Sequence, residues 1–196
     1  MLNGGAEKSV KYAERKKTTK MSKYPIGFEV IDNAIKDCES IIEYAEYQGF
    51  DRSVIGINLV PSESRTSSTC YIPIHNFDNP PEVYNMNKRV YDEVGAYAAA
   101  YGVELTQIED ASIQRYEPGQ HYDSHVDAGP GQPRVISALV YLNDTDGGET
   151  HFNNFEFSIE PKEGRLVIFP SNFIYRHEAL PPNSGVKYAA AYWIQG

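Results

Sequence analysis

Two kinds of apolar spacing divide the chain. In the N-terminal half, apolar residues recur every three or four positions: Ile31, Ala34 or Ile35, Cys38, Ile41 or Ile42 and Ala45, then Val83, Met86, Val90, Val94, Tyr97 or Ala98 and Tyr101. That recurrence lays one apolar stripe along a helix. It predicts a helix over 31–47, capped by Asp32 or Asn33. A second helix is predicted to open at Asn79-Pro80-Pro81, with proline near its first turn, and to end at Gly102. Between them, residues 52–67 are rich in Ser, Pro and Gly and read as a mobile loop. Thr69 to Ile74 follows as a strand, with Tyr71 and Pro73 marking an edge or a strand end.

After Gly102 the period shortens. Residues 105–116 look extended, and Val135–Leu142, Glu149–Phe152, Phe155–Ile159, Arg165–Phe169 and Val186–Ile194 read as strands. Turn chemistry separates them, at Asp144-Thr145-Asp146-Gly147-Gly148 and at Pro161-Lys162-Glu163-Gly164. Two helices followed by about seven short strands at such intervals imply an α+β chain. Its C-terminal body is expected to be a jelly-roll-like sandwich or small barrel, with the helices packed on one face of the larger sheet.

Length and charge narrow this further. The 196 residues suit one domain with a sizeable core, and no repeat or dividing linker is visible. The 15 tyrosines suit half-buried strands and pockets. Net charge is −9, but residues 8–23 hold seven Lys or Arg while residues 31–196 hold 11 basic and 24 acidic residues. We therefore expect a basic, flexible extension over 1–24 and a single domain over 25–196. Met21 offers an alternative start, which would make 1–20 dispensable. The acidic body argues against a nucleic-acid partner. No apolar run reaches membrane length and no secretory h-region opens the chain, so a cytoplasmic location is expected. Cys38 and Cys70 are expected to be reduced, core-type residues.

Five histidines are present: His75, His121, His125, His151 and His177. A His-x-Asp tripeptide occurs twice, as His121-Tyr122-Asp123 and His125-Val126-Asp127. On a strand, residues two apart share a face, so either pair could present an imidazole and a carboxylate to one metal ion. With a second histidine from a distant segment, such as His177, the set is that of non-haem Fe(II) with open positions for O₂ chemistry. The spacing alone leaves the choice of pair open.

The run Tyr116-x-x-Gly119-Gln120-x-Tyr122-x-x-His125-x-Asp127 resembles the metal-binding strand of prolyl 4-hydroxylases, a branch of the Fe(II)/2-oxoglutarate dioxygenases. Gly147-Gly148-Glu149-Thr150-His151-Phe152, Phe169-Pro170-Ser171, and His177 followed ten residues later by Lys187 resemble further motifs of that family, in order, across about residues 30–196. The resemblance implies a double-stranded β-helix core and selects the second His-x-Asp pair. It implies His125, Asp127 and His177 as ligands of Fe(II), with His121 and Asp123 at the pocket rim. It implies Lys187, Tyr116 and Thr150 as the binding site for 2-oxoglutarate, and Tyr122, Arg134, Trp193 and Arg65 on the substrate side. The activity implied is hydroxylation of a prolyl residue in a peptide or protein, coupled to decarboxylation of 2-oxoglutarate to succinate and CO₂, with O₂ as cosubstrate and ascorbate as reductant. Hydroxylation of another side chain or a free amino acid is the alternative on the same fold. A non-catalytic jelly-roll binding module is the alternative of another class.

Overall fold

The computed structural model describes residues 23–55 and 60–196. The expected basic extension lies outside them, apart from Lys23 and Tyr24. In chain order the elements begin with β1 (Glu29–Ile31), α1 (Cys38–Gln48), β2 (Asp51–Arg52), β3 (Val54–Ile55), β4 (Val60–Pro61), β5 (Ser68–Ile72) and α2 (Pro81–Tyr101). There follow β6 (Gln107–Ile108), β7 (Ala111–Tyr116), β8 (Tyr122–His125), β9 (Arg134–Tyr141), β10 (Asp146–Gly147), β11 (Thr150–Phe152) and β12 (Phe157–Ile159). The last are β13 (Leu166–Pro170), β14 (His177–Ala179), β15 (Pro182–Ser184) and β16 (Lys187–Gln195).

A major sheet runs β1-β13-β9-β16-β7-β5-β2, with β6 also paired to β16. A minor sheet runs β12-β11-β14-β8. The pairings are antiparallel. The minor sheet lies against one face of the major sheet, giving the double-stranded β-helix, and α1 and α2 cover the other face. Strand alternation builds both layers at once. Along β16, Ala190, Tyr192 and Ile194 join the helix-side core with Ile41, Met86, Val90 and Val94, while Ala189 joins the inter-sheet core. The inter-sheet core is aromatic: Phe28 sits edge-on to Phe152 at 4.6 Å, and Phe152 edge-on to Phe169 at 5.0 Å. Burying each such side chain stabilises the fold by about 1.5–3 kcal/mol.

The predicted second helix is α2, with Val83, Met86, Val90 and Val94 buried and Gly102 ending it at φ 66°. The first prediction is corrected: residues 31–37 are not helical. Ile31 belongs to β1, where it pairs with Leu166 at the sheet edge, and Ile35 is tied through its N–H to the carbonyl of Gly164. Asp32 is no cap; it accepts a 2.7 Å hydrogen bond from Arg165. The apolar spacing misled because Ile31 and Ile35 pack on the same core as the helix. Phe155–Ile159 is also corrected. Asn153–Phe155 forms a 3-10 turn, closed by Glu156 at φ 48°, and only Phe157–Ile159 is strand. The described part of the Ser-rich 52–67 stretch is not plain loop. It holds the β3–β4 hairpin, and the Ser53 hydroxyl contacts those of Ser67 and Thr69 at 2.8 and 2.6 Å.

Candidate metal centre and active site

β8 ends at His125 and β14 begins at His177, and the register sets these residues opposite one another. Asp127 lies just past the end of β8, so it reaches the same point from a turn rather than from the strand face. One ligand atom from each of the three residues falls within 4.8 Å of the others. Asp127 Oδ1 is 3.6 Å from His125 Nε2, and Oδ2 is 3.8 Å from His177 Nε2. Each imidazole spends its other nitrogen on the backbone. His125 Nδ1 is 2.8 Å from the carbonyl of Asp123, and His177 Nδ1 is 3.0 Å from that of Tyr175. A carbonyl only accepts, so both Nδ1 atoms carry the proton. Both Nε2 lone pairs therefore face the gap, as metal-ligating histidines require.

The electrostatics agree. Burial, with His177 as neighbour, holds the His125 imidazole well below its usual range, so it is neutral. Burial alone would raise the Asp127 carboxyl. His177, His125 and the hydrogen bond from Ser137 outweigh that and hold it ionised. Two imidazole nitrogens and one carboxylate are a hard-to-borderline donor set fitted to Fe(II). The competing pair His121 and Asp123 stand 3.3 Å apart at the exposed rim, with no third ligand among the described residues.

Beside the triad lies a pocket between the sheets, floored by β16. Lys187, Ala189, Ala191 and Trp193, every second residue of that strand, line it, together with Tyr116 and Thr150. Lys187 is 1% exposed, and among the described residues it makes no ion pair. Its ammonium donates a 2.6 Å hydrogen bond to the carbonyl of Gly148 and faces the rings of Tyr116 and Tyr141 at 4.9 and 5.7 Å. Burial pulls its pKa down to about 7. The Gly147-Gly148 turn holds the Gly148 carbonyl in place, both residues having positive φ, where a Cβ is disfavoured. Thr150 accepts a 2.7 Å hydrogen bond from Tyr141, so its own O–H is left to donate. Tyr116 donates to Gln114 at 2.8 Å.

Toward solvent, a groove is lined by Val54, Arg65, Glu109, Tyr122, Arg134 and Trp193, among others. Its charged groups are already engaged. Arg65 is buried, lies over the Tyr122 ring at 4.9 Å, and donates to the carbonyl of Val54. Tyr122 in turn stacks on His125 with ring centroids 3.6 Å apart. Arg134 forks onto Glu109, with Nε and Nη2 at 2.7 and 2.6 Å from its two carboxylate oxygens. The structure thus gathers all ten expected residues around one cavity and its mouth. It adds four that sequence reasoning missed: Ser137, Tyr141, Gln114 and Glu109. Ser137 alone left a signal, a small polar residue inside an apolar strand, where a buried hydroxyl needs a partner.

Residues 111–195 match the model of the 2OG-Fe(II) oxygenase superfamily. Those residues form a 2OG-Fe(II) oxygenase domain, and the chain is similar to proteins named prolyl 4-hydroxylase. It is 27% identical over 189 residues to a putative prolyl 4-hydroxylase of Acanthamoeba polyphaga mimivirus, covering 85% of this chain and 73% of that one. It is 33% identical over 129 residues to probable prolyl 4-hydroxylase 9 of Arabidopsis thaliana, covering 50% of this chain but only 44% of the relative. Among solved structures it is similar to the viral collagen prolyl hydroxylase of Paramecium Bursaria Chlorella virus-1 in complex with 2OG. The TM-score there is 0.66 at 25% identity, over 85% of this chain and 94% of that one. The oxygenase domain requires Fe(II) and 2-oxoglutarate. No helix of the described residues is long and apolar enough to cross a membrane.

Proposed function

We propose that the chain hydroxylates a prolyl residue of a peptide or protein, with His125, Asp127 and His177 holding Fe(II). The observation that carries this reading is Lys187. A buried ammonium without a counter-ion is costly, and this one shares a pocket with the ligand triad. The distal carboxylate of 2-oxoglutarate would satisfy it. Thr150 would donate its free hydroxyl to the same carboxylate, and Tyr116 would close the end of the pocket. When bound, the iron and 2-oxoglutarate supply O₂ activation, decarboxylation to succinate and CO₂, and C–H hydroxylation, with ascorbate keeping the metal reduced. The protein's own part is positional. The His125–Tyr122–Arg65 stack walls the triad on the solvent side, and the aromatic inter-sheet core keeps water from His177. The proline would approach through the groove beside Tyr122, Arg134 and Trp193. A reducing compartment suits the two free, buried thiols of Cys38 and Cys70.

The test is incubation with Fe(II), ascorbate, 2-oxoglutarate and proline-containing peptides. Succinate release matched by a one-oxygen mass gain on proline is expected, and His125→Ala should abolish both. Oxygen gain on another residue would favour the alternative side-chain substrate. Undiminished turnover in His125→Ala would refute the metal assignment.

A further inference from the structure

Arg65 is a cation taken out of water, 5% exposed, at the mouth of the site. Its backbone holds it there: its N–H donates to the Ser62 carbonyl, and a bridge ties it to Tyr122. A guanidinium has five N–H donors. Here Nη1 donates to the Val54 carbonyl at 3.1 Å and Nη2 reaches Thr69 Oγ1 at 3.5 Å, while Nε has no partner among the described residues. A carbonyl, a hydroxyl and the Tyr122 ring thus engage it, and none of these carries a charge. Three carboxylates line the same groove, and each is committed elsewhere. Glu109 is paired with Arg134, Asp110 accepts the Ile74 N–H, and Asp127 belongs to the ligand triad. A buried guanidinium with no anion beside it is costly. The cosubstrate is not the missing partner, because Lys187 stands in the inter-sheet pocket and Arg65 lines the groove outside it.

We propose that Arg65 determines specificity by taking a carboxylate of the substrate, so that the prolyl residue acted on is one with an acidic group beside it. The proposal rests on the prolyl reading above and deepens it. A guanidinium is planar and offers paired donors, the shape that the two oxygens of a carboxylate fit. The ring stack sets where that carboxylate lies. The guanidinium is 4.9 Å from the centre of the Tyr122 ring, and that ring is 3.6 Å from the ring of His125. One aromatic ring therefore separates the cation from a metal ligand. An extended chain advances roughly 3.5 Å per residue, so the carboxylate belongs within a residue or two of the proline. Two sources supply it: the side chain of Asp or Glu next to the proline, or the α-carboxylate of a chain that ends there.

The experiment measures the binding of short proline peptides to protein loaded with Mn(II) and 2-oxoglutarate, by calorimetry, and then their turnover with Fe(II) and ascorbate. One set carries Glu, Gln or Lys next to an internal proline. The other ends at the residue after the proline, as a free acid or as an amide. The Glu peptide, or the free acid, is expected to bind roughly tenfold more tightly than its neutral counterpart, and the set that shows the difference names the source. Arg65→Gln should erase the difference, Arg65→Lys should keep part of it, and Arg65→Glu should turn it in favour of the Lys peptide. An arginine that only supports the wall would weaken every peptide alike on substitution, and that result would overturn the proposal. So would equal binding of acidic and neutral peptides by wild type, a comparison that needs no variant to fold. A preference for the carboxylate without oxygen gain on proline would uphold the role of Arg65 and overturn the prolyl reading instead.

Discussion

Ser137 donates a 2.6 Å hydrogen bond to Oδ2 of Asp127, the same oxygen that faces His177. The two come from different parts of the site, β9 and the turn after β8, and the hydroxyl is itself 2.8 Å from that of Ser171. A buried carboxylate with one oxygen pinned can swing less when the metal arrives. Ser137→Ala should therefore weaken Mn(II) binding by roughly tenfold in calorimetry. Loss of the hydrogen bond should lower stability by only about 0.5–1.5 kcal/mol in urea unfolding. Unchanged Mn(II) affinity would mean that the serine merely fills space.

The buried Lys187 makes cosubstrate binding pH-dependent. Its pKa of about 7 lies below the ordinary lysine value, so the unfolded chain binds more protons between about 7 and 10.5. Stability from this group is lowest below pH 7, where both states are protonated, and rises as pH climbs through that window. Binding runs the other way. A carboxylate beside the ammonium favours the charged form, so 2-oxoglutarate must bring a proton to Lys187 above pH 7. Its affinity should fall up to about tenfold per pH unit there. Calorimetry of Mn(II)-loaded protein in buffers of different ionisation enthalpy should register proton uptake at pH 8 and little at pH 6. Lys187→Met should remove the pH dependence together with most of the affinity.

Gly148 is held at φ 76°, and a Cβ there would stand 3.1 Å from Lys187 Cδ and 3.3 Å from Thr145 Oγ1. Gly148→Ala should lower stability by about 1–2 kcal/mol from the left-handed backbone alone. It should also push the lysine off line. The expected kinetic signature is a several-fold rise in the KM for 2-oxoglutarate with the KM for peptide unchanged. Equal changes in both constants would show that the turn supports the whole site rather than its cation.

On the helix side, Tyr192 donates a 2.8 Å hydrogen bond to Asn87 of α2. Both residues are buried, and Asn87 Nδ2 has no partner among the described residues. Tyr192→Phe would strip the Asn87 side chain of its remaining bond and should cost about 1–3 kcal/mol in the urea midpoint. Its ring faces the helices, away from the pocket, so kcat should hold. A fall in kcat at unchanged Mn(II) affinity would show that helix packing reaches the active site.

The parts of the fold that follow from local chemistry are legible in the sequence. α2 carried an unbroken stripe, a proline start and a glycine stop. The strand bearing His125 and the strand bearing Lys187 were placed by motif and interval. Where two elements share one core, periodicity fails: Ile31 and Ile35 looked helical because sheet edge and helix bury their side chains in the same layer. The Ser-rich segment was opaque for another reason. Arg65 is buried there by a bridge to Tyr122, 57 residues away, and no local pattern encodes that distance. Glu109 was invisible on the same ground, since its meaning comes only from Arg134.

Ala189 and Ala191 lie between Lys187 and Trp193 on the pocket face of β16. On a central strand of β-branched and aromatic neighbours, two methyl side chains are a vacancy left on purpose of shape: the space available to a cosubstrate is what larger residues would have taken. Chain length selectivity among dicarboxylic oxo acids would then be set by a ruler of two small residues, with an ammonium at one end and a metal at the other. Enlarging either methyl would shorten the ruler without touching a single ligand, which makes these two positions the simplest handles for retuning or silencing the domain.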